Sequence, residues 1–136
     1  MSAVSLYGYS TGPMITSSGA SYLDAKVLNN DRKPAQVRIK QYDLIAIRKV
    51  LLVDHLIEIP ARGSAYLGLV LLDTWEVQFI TNSSLVRFWV GVLDDNLNLQ
   101  PGGVVLHTQL LKFSANSLAP QAKKRQPEIM GPGYRE

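Results

Sequence analysis

Short runs rich in Val, Ile, Leu, Tyr and Phe alternate along the chain with Gly, Pro, Asn, Asp and Ser, at intervals of eight to fifteen residues. Inside several runs apolar and polar residues alternate with a period of two, which predicts strands with one buried and one exposed face. Short strands separated by turns are typical of an all-β sandwich or barrel. We expect eight strands, at residues 13–17, 20–29, 35–43, 50–59, 64–72, 74–81, 85–93 and 104–113.

The expected fold is an all-β, antiparallel two-sheet sandwich, either immunoglobulin-like or jelly-roll-like, formed by residues 13–113. Residues 1–12 and 114–136 are rich in Gly, Pro, Ser and Ala and lack strand periodicity over most of their length. We therefore expect an irregular N-terminal arm and a basic C-terminal tail, which are mobile or dock on a neighbouring molecule.

The alternation also assigns the faces of the strands. Arg87 and Trp89 have the opposite parity to the apolar residues of their strand, so we expect them to point outward. Residues 65–72 are apolar on both faces, which predicts a central strand covered on both sides or a strand at a subunit interface. The surplus of apolar surface favours an oligomer. The residues expected in the core are Ile57, Ile59, Trp75, Val77, Phe79, Phe88, Val90 and Val92.

The stretch AQVRIKQY, residues 35–42, raises the question of a binding face. Val37 and Ile39 would point inward, while the alternate side chains Arg38, Lys40 and Tyr42 would point outward with Gln36. Aromatic side chains interleaved with basic ones on a sheet can stack bases and hold phosphates. Without a second aromatic-rich strand beside it, we interpret this face as the solvated side of the sandwich. Nucleic acid is not an expected partner.

An outward Trp89 beside Arg87 could stack on a sugar ring or on a cation of a partner. Burial in an interface is the favoured interpretation. The alternative is a carbohydrate-binding platform formed by Trp89, Tyr42 and Tyr66. The residues expected to form an interaction surface are Arg38, Lys40, Tyr42, Tyr66, Arg87 and Trp89.

Catalytic and metal-binding signals are weak. The chain has no cysteine, which excludes disulfides and thiolate chemistry. His55 and His107 each stand alone in their segments, and His55 and the adjacent Asp54 would lie on opposite faces of a strand. The loop DDNLNLQPGGVV has leucine and valine where a calcium loop needs glycine and glutamate, so we interpret it as a hairpin loop. We expect no catalytic residue, no metal and no cofactor.

The net charge of +3 adds little to this interpretation, because two of the three excess charges lie within residues 114–136. The longest apolar stretch, residues 65–72, is too short for a membrane helix, and the N-terminus has no secretory pattern. We expect a protein without membrane contact that is cytoplasmic or spore-associated.

Four segments carry a resemblance to known proteins: VLNNDRKPAQVRIKQYDL, EIPARGSAYLGL, WEVQF and WVGVLDDNLNLQPGGVVLHTQLLKF. Together they resemble small immunoglobulin-like or fibronectin-like β-sandwich proteins of spore-forming bacteria that have no assigned function. The resemblance extends over residues 18–113 and implies a sandwich without implying an activity.

The function expected from the sequence is non-enzymatic: assembly or protein interaction by a homo-oligomeric sandwich, with a further protein partner as an option. The expected contact regions are the sheet face around Tyr66, Gly68 and Val70, the Arg87 and Trp89 pair, and the two arms, which could exchange between protomers. A carbohydrate-binding module is the first alternative, and an enzyme of unrecognised type is the second.

Overall fold

The computed structural model describes residues 5–45, 47–115 and 118. Most of the predicted C-terminal tail and the first four residues therefore lie outside the described residues. The described part contains ten strands and one 3₁₀ turn: β1 (Tyr7–Ser10), β2 (Met14–Ile15), β3 (Tyr22–Asn29), β4 (Ala35–Ile45), β5 (Arg48–Ile59), β6 (Ser64–Leu69), β7 (Thr74–Thr81), β8 (Val86–Leu93), β9 (Leu99–Val105), the turn His107–Gln109, and β10 (Leu111–Phe113).

The strands form two antiparallel sheets, so the protein is an all-β two-sheet sandwich as predicted. Sheet A has the order β10-β1-β7-β4-β5, with β2 also paired to β7, and sheet B has the order β6-β3-β8-β9. Every pairing is antiparallel. Among the described strands, β5, β10 and the two-residue β2, which pairs only with β7, therefore have free edges in sheet A, and β6 and β9 are the edges of sheet B.

The connections cross repeatedly between the sheets. Among consecutive described strands, hydrogen-bonded hairpins join only β4 to β5 and β8 to β9. The immunoglobulin order ABED over CFG contains three such hairpins. The strand order found here therefore differs from the immunoglobulin order.

The core lies between the sheets and contains the side chains that alternation predicts. Trp75, Val77 and Phe79 of β7 are fully buried, and Phe88 of β8 stacks on Phe79 with 4.2 Å between ring centroids. Val90 and Val92 of β8 and Ile59 of β5 are buried with them, while Ile57 is partly buried against the same cluster. The predicted core residues are confirmed, because period-two placement holds along both central strands.

One core position carries an amide instead of an apolar side chain. Gln41 of β4 is fully buried on the inner face. Its Nε2 donates to the backbone oxygen of Val70 at 2.6 Å, and the Val70 N–H donates to its Oε1 at 2.9 Å. The side chain thus makes the pair of bonds that a neighbouring strand would make, and it joins sheet A to the chain just beyond β6.

Three predictions about individual segments are wrong. Residues 7–10, predicted as part of an arm, form β1, which pairs with β7 and β10 of its own chain. The strand predicted at 104–113 is divided by the 3₁₀ turn, which begins at His107, and only its ends belong to strands. The strand from Ser64 to Leu69 is an edge strand, so the central position considered for residues 65–72 is excluded and Tyr66 is exposed.

Candidate functional site

The six side chains predicted to form one interaction surface lie on two opposite faces of the sandwich. Arg38, Lys40 and Tyr42 belong to β4 and point away from the core on sheet A, whereas Tyr66, Arg87 and Trp89 lie on the outer face of sheet B. The predicted platform of Trp89, Tyr42 and Tyr66 is therefore wrong with respect to Tyr42. Parity correctly indicates that all six side chains point outward, but it does not indicate the sheet to which each belongs.

On the outer face of sheet A, the charged groups bind one another. Arg38 is 5% exposed and forms a bidentate pair with Asp54, in which Nε and Nη2 each lie 2.7 Å from a carboxylate oxygen. The hydrogen bonds to Asp54 raise the pKa of Arg38 above its usual value, although burial alone would lower it. This arginine is consequently engaged within its own chain.

A second ion pair lies farther along the same face. Lys49 Nζ is 2.7 Å from Glu76, and Ser10 Oγ donates to the same carboxylate at 2.5 Å. Burial opposes ionisation of Glu76, but the hydrogen bonds from Lys49, Ser10 and Gln78 outweigh it, so the pKa of Glu76 is lowered. The carboxylate is therefore held in its charged form by its neighbours.

Tyr42 lies between the ammonium groups of two lysines, with Lys49 Nζ 4.4 Å and Lys40 Nζ 5.7 Å from the ring centroid. Burial, with a contribution from Glu76, raises the pKa of Tyr42 to about 12. Burial and the charge of Arg38 lower the pKa of Lys40. Most polar groups of this face have partners in the same chain, and Arg38 is buried while Lys40 and Tyr42 are half-buried, so the face is polar but less solvated than predicted.

The outer face of sheet B is arranged differently. Lys26 of β3 lies opposite Tyr66 of β6 on one side and opposite Trp89 of β8 on the other. Its Nζ is 5.7 Å from the Tyr66 ring centroid and 5.2 Å from that of Trp89. The three side chains form a row across three strands, called here the aromatic row. Sequence reasoning missed Lys26, because only the register of three distant strands places it between the rings.

Both rings of the aromatic row are anchored by their neighbours. The Tyr66 hydroxyl donates a hydrogen bond to the carboxylate of Asp24, a side chain that is buried on this face. This hydrogen bond and, to a lesser extent, burial raise the pKa of Tyr66. The Trp89 indole lies over Gly91, where an added Cβ would be 2.2 Å from the ring carbon Cη2. Any larger residue at Gly91 would displace the indole.

The histidines do not form a site. His55 lies on the exposed edge strand β5, and the neighbouring Asp54 is committed to Arg38. His107 Nδ1 accepts the backbone N–H of Phe88 at 3.2 Å, and its ring lies 4.8 Å from that of Tyr9. Burial, with the charges of Arg87 and Lys112, lowers the pKa of His107. Its contacts give it a packing role.

Among residues 5–45, 47–115 and 118, no group of three or more histidine, aspartate or glutamate side chains is arranged to hold a metal ion. The segment compared with a calcium loop is the β8–β9 hairpin, in which Asp94 Oδ1 accepts the backbone N–H groups of Asn96 and Asn98 at 2.9 Å. The hairpin interpretation is confirmed. Within the same described residues, no helix is long and apolar enough to cross a membrane.

A second candidate surface is the free edge of sheet A. The strand β5 runs for twelve residues, Arg48–Ile59, and among the described strands it pairs on one side only, with β4. The register between these strands shifts at Gln41 and Tyr42, which leaves Leu52 as an extra residue in a bulge. Leu51, Leu52 and Leu56 are all exposed on this strand. An apolar edge of this length is uncommon in isolated sandwiches.

Comparison with known proteins adds information on the fold alone. No protein-family model and no curated protein sequence matches the chain. A similar solved structure is described as the crystal structure of Thermotoga maritima 1070, with a TM-score of 0.51 and 15% sequence identity. The match covers 79% of this chain and 90% of that chain. At this identity the likeness supports the two-sheet architecture and carries no function.

Proposed function

We propose that the protein is a non-enzymatic structural or interaction module that assembles into homo-oligomers through the free edge of β5. The observation that carries this proposal is the length and apolar character of that edge. The backbone N–H and C=O groups along a free edge are complementary to another strand, which makes such an edge a template for pairing with a second chain.

The other edges are much less suited to pairing. The strand β10 has three residues, β6 has six, and β9 has seven with Pro101, Gly102 and Gly103 among them. Short edges and proline are devices by which sandwiches avoid pairing with other chains. The strand β5 is long and has no proline, although its charged residues and its bulge at Leu52 are devices of the same kind.

Exposed apolar side chains extend the β5 edge beyond the strand itself. Ile45 and Ile47 flank the turn between β4 and β5, and Ile47 is fully exposed. With Leu51, Leu52 and Leu56 of β5 they give five exposed apolar side chains on or next to this edge strand. Burial of these side chains against another molecule removes apolar surface from water and supplies the driving force for association.

The charges of β5 point to a second copy of the same chain as the occupant. Arg48 begins the strand and Glu58 lies near its end, whereas Lys49 and Asp54 are already paired with Glu76 and Arg38 of the same chain. In an antiparallel pair of identical strands, the basic end of one copy lies beside the acidic end of the other. A two-fold axis near the middle of β5 would therefore make the edge self-complementary in charge and in hydrogen bonding.

Replacement of Leu52 by lysine is expected to dissociate the oligomer, because the added charge would be buried beside the apolar edge of the partner. The test is the mass in solution by size-exclusion chromatography with light scattering. The wild-type protein is expected at twice 15.0 kDa or a higher multiple, and Leu52→Lys is expected at the mass of one chain.

Leu85→Lys is the matched control. Leu85 is 45% exposed and Leu52 is 47% exposed, but Leu85 lies in the turn before β8 and not on β5. The control is expected to keep the wild-type mass. A wild-type protein that elutes with the mass of one chain, or a Leu52→Lys variant that remains oligomeric, would contradict the proposal.

Two further proposals remain from the sequence. The repeated crossing between sheets supports a jelly-roll-like class, in place of the immunoglobulin-like class.

The resemblance to sandwich proteins of spore-forming bacteria supports a cytoplasmic or spore-associated location. Localisation of a tagged chain in a sporulating host would test the second proposal directly.

A further inference from the structure

The outer face of sheet B contains a groove of about 490 Å³ beside the aromatic row. Its sides are formed by Lys26, Tyr66 and Trp89 in one row and by Leu28, Ser64 and Arg87 in the next. We propose that this groove binds an anionic carbohydrate, that is, a saccharide that carries a carboxylate or sulfate group. This site is separate from the β5 edge, which belongs to the other sheet.

The charge of the groove favours an anion. Among the described residues, the ion pairs join Arg38 to Asp54 and Lys49 to Glu76, both on sheet A. Lys26 and Arg87 form no ion pair there, although both border the groove. These two cations outnumber the Asp24 carboxylate of the same face, which accepts the Tyr66 hydroxyl, so the groove attracts negatively charged ligands. This distinguishes the face from that of sheet A, where Arg38 and Lys49 are already paired.

Arg87 retains donors for a ligand. Its Nη1 donates to the backbone oxygens of Ser84 at 2.9 Å and Val86 at 3.3 Å. These bonds hold the Nη1 side of the guanidinium in place. Its Nε and Nη2 groups have no protein acceptor among the described residues. A guanidinium held in this way presents two parallel N–H donors, the arrangement that binds carboxylate, sulfate and phosphate groups in bidentate fashion.

The aromatic rings supply the apolar part of the site. Trp89 lies against Gly91, and Tyr66 is held by Asp24, so both rings are positioned before any ligand arrives. The C–H faces of sugar rings pack on flat aromatic surfaces, while their hydroxyl groups need polar partners such as Ser64. Prior positioning of the rings lowers the entropy cost of binding.

The location of the groove favours a saccharide over an acidic peptide. Extended peptides are often recognised by addition to a strand edge, where backbone hydrogen bonds are available. The groove instead crosses the face of β6, β3 and β8 and is lined by side chains, although the free edge of β6 borders it on one side. Two interstrand spacings give it a width of about 10 Å, which suits one or two sugar rings.

The test is titration calorimetry of the intact chain with four probes: a galacturonic acid trisaccharide, a heparin-derived hexasaccharide, neutral cellotriose and a glutamate hexapeptide. We expect one or both acidic saccharides to bind and the neutral sugar to bind more weakly. Binding of the uronic acid alone identifies carboxylate as the ligand group, and binding of the heparin fragment alone identifies sulfate. Binding of the glutamate peptide without either acidic saccharide, or of none of the probes, would overturn the proposal.

Variants separate the contribution of the aromatic ring to binding from that of the positive charge. Trp89→Ala is expected to weaken binding about tenfold through the lost ring contact. Arg87→Gln is expected to weaken binding of the acidic probe about tenfold and to reduce its salt dependence.

Tyr22→Ala and Arg32→Gln change exposed residues outside the groove and are expected to bind as the wild type does. Thermal unfolding verifies that each variant is folded, and Trp89→Phe is expected to restore part of the affinity. Unchanged affinity in both groove variants would refute the assignment.

Discussion

Replacing Trp75 with alanine is expected to lower the free energy of unfolding by about 3–5 kcal/mol. The side chain has no exposed surface and lies in the centre of the core between the sheets. Its Nε1 donates to Thr16 Oγ1 at 2.9 Å, and that hydroxyl donates to the backbone oxygen of Leu72 at 2.6 Å. The substitution therefore creates a large cavity and also loses the bond that fixes the chain after β2.

Trp89→Ala provides the matched comparison, since the same residue type is removed from the outer face of sheet B. Its indole is partly exposed, and the expected loss is about 1 kcal/mol or less. Urea denaturation followed by circular dichroism measures both variants against the wild type. Equal losses of unfolding free energy for the two substitutions would contradict the placement of Trp75 in the core and of Trp89 on the outer face.

Replacing Asn29 with aspartate is expected to destabilise the fold by about 3–5 kcal/mol near neutral pH. Asn29 is fully buried at the end of β3, and its Nδ2 donates to the backbone oxygens of Lys33, Ile59 and Pro60 at 2.9, 3.2 and 3.1 Å. Its Oδ1 accepts the N–H of Asp31 at 2.9 Å. Aspartate has nearly the same shape, but it would direct a negative charge at three carbonyl oxygens.

This destabilisation should depend on pH. Burial and the carbonyl oxygens raise the pKa of the introduced carboxyl in the folded state above its unfolded value of about 3.9. The folded variant then binds this proton more tightly than the unfolded chain does. The loss of unfolding free energy relative to the wild type therefore becomes smaller as the pH falls towards the unfolded-state pKa of about 3.9. Urea denaturation at neutral pH and near pH 4.5 measures the change.

Asn29→Ala is the control for the pH dependence. It removes the same hydrogen bonds without adding a charge, so we expect a loss of about 2 kcal/mol that is the same at both pH values. The hydrogen bonds of Asn29 connect the β3–β4 turn to the β5–β6 turn. An aspartate variant as stable as the wild type at neutral pH would show that these hydrogen bonds do not hold the two turns together.

The features that depend on local alternation could be predicted from the sequence. The parity of their neighbours predicts an inward Trp75 and an outward Trp89, and the structure has Trp75 in the core and Trp89 on the outer face of sheet B. Alternation is reliable in β7 and β8 because each of these strands packs one face on a single core, so a shift of one residue would expose the whole apolar set.

The features that depend on pairing between distant segments could not be predicted. The strand β1 alternates Tyr7 and Tyr9 with Gly8 and Ser10, but at four residues the pattern is too short to predict a strand. Gly8 lies where Phe113 of β10 packs against it, since an added Cβ would be 2.7 Å from that ring. Lys26 acquires its place between two rings only from the register of β3 with β6 and β8. The carbohydrate-platform hypothesis groups Tyr42 with Trp89, because parity carries no information about sheet membership.

Disulfide formation by a single cysteine on β5 tests the proposed assembly most directly. The chain contains no cysteine, so a variant with Leu52→Cys has one thiol near the middle of the strand. If two β5 edges pair about a two-fold axis, the thiols of two copies come within disulfide reach, and mild oxidation should give a covalent dimer of twice 15.0 kDa. Leu85→Cys should remain a single chain under the same conditions. Equal cross-linking of the two variants, or none at position 52, would show that the edge of β5 does not face its own copy.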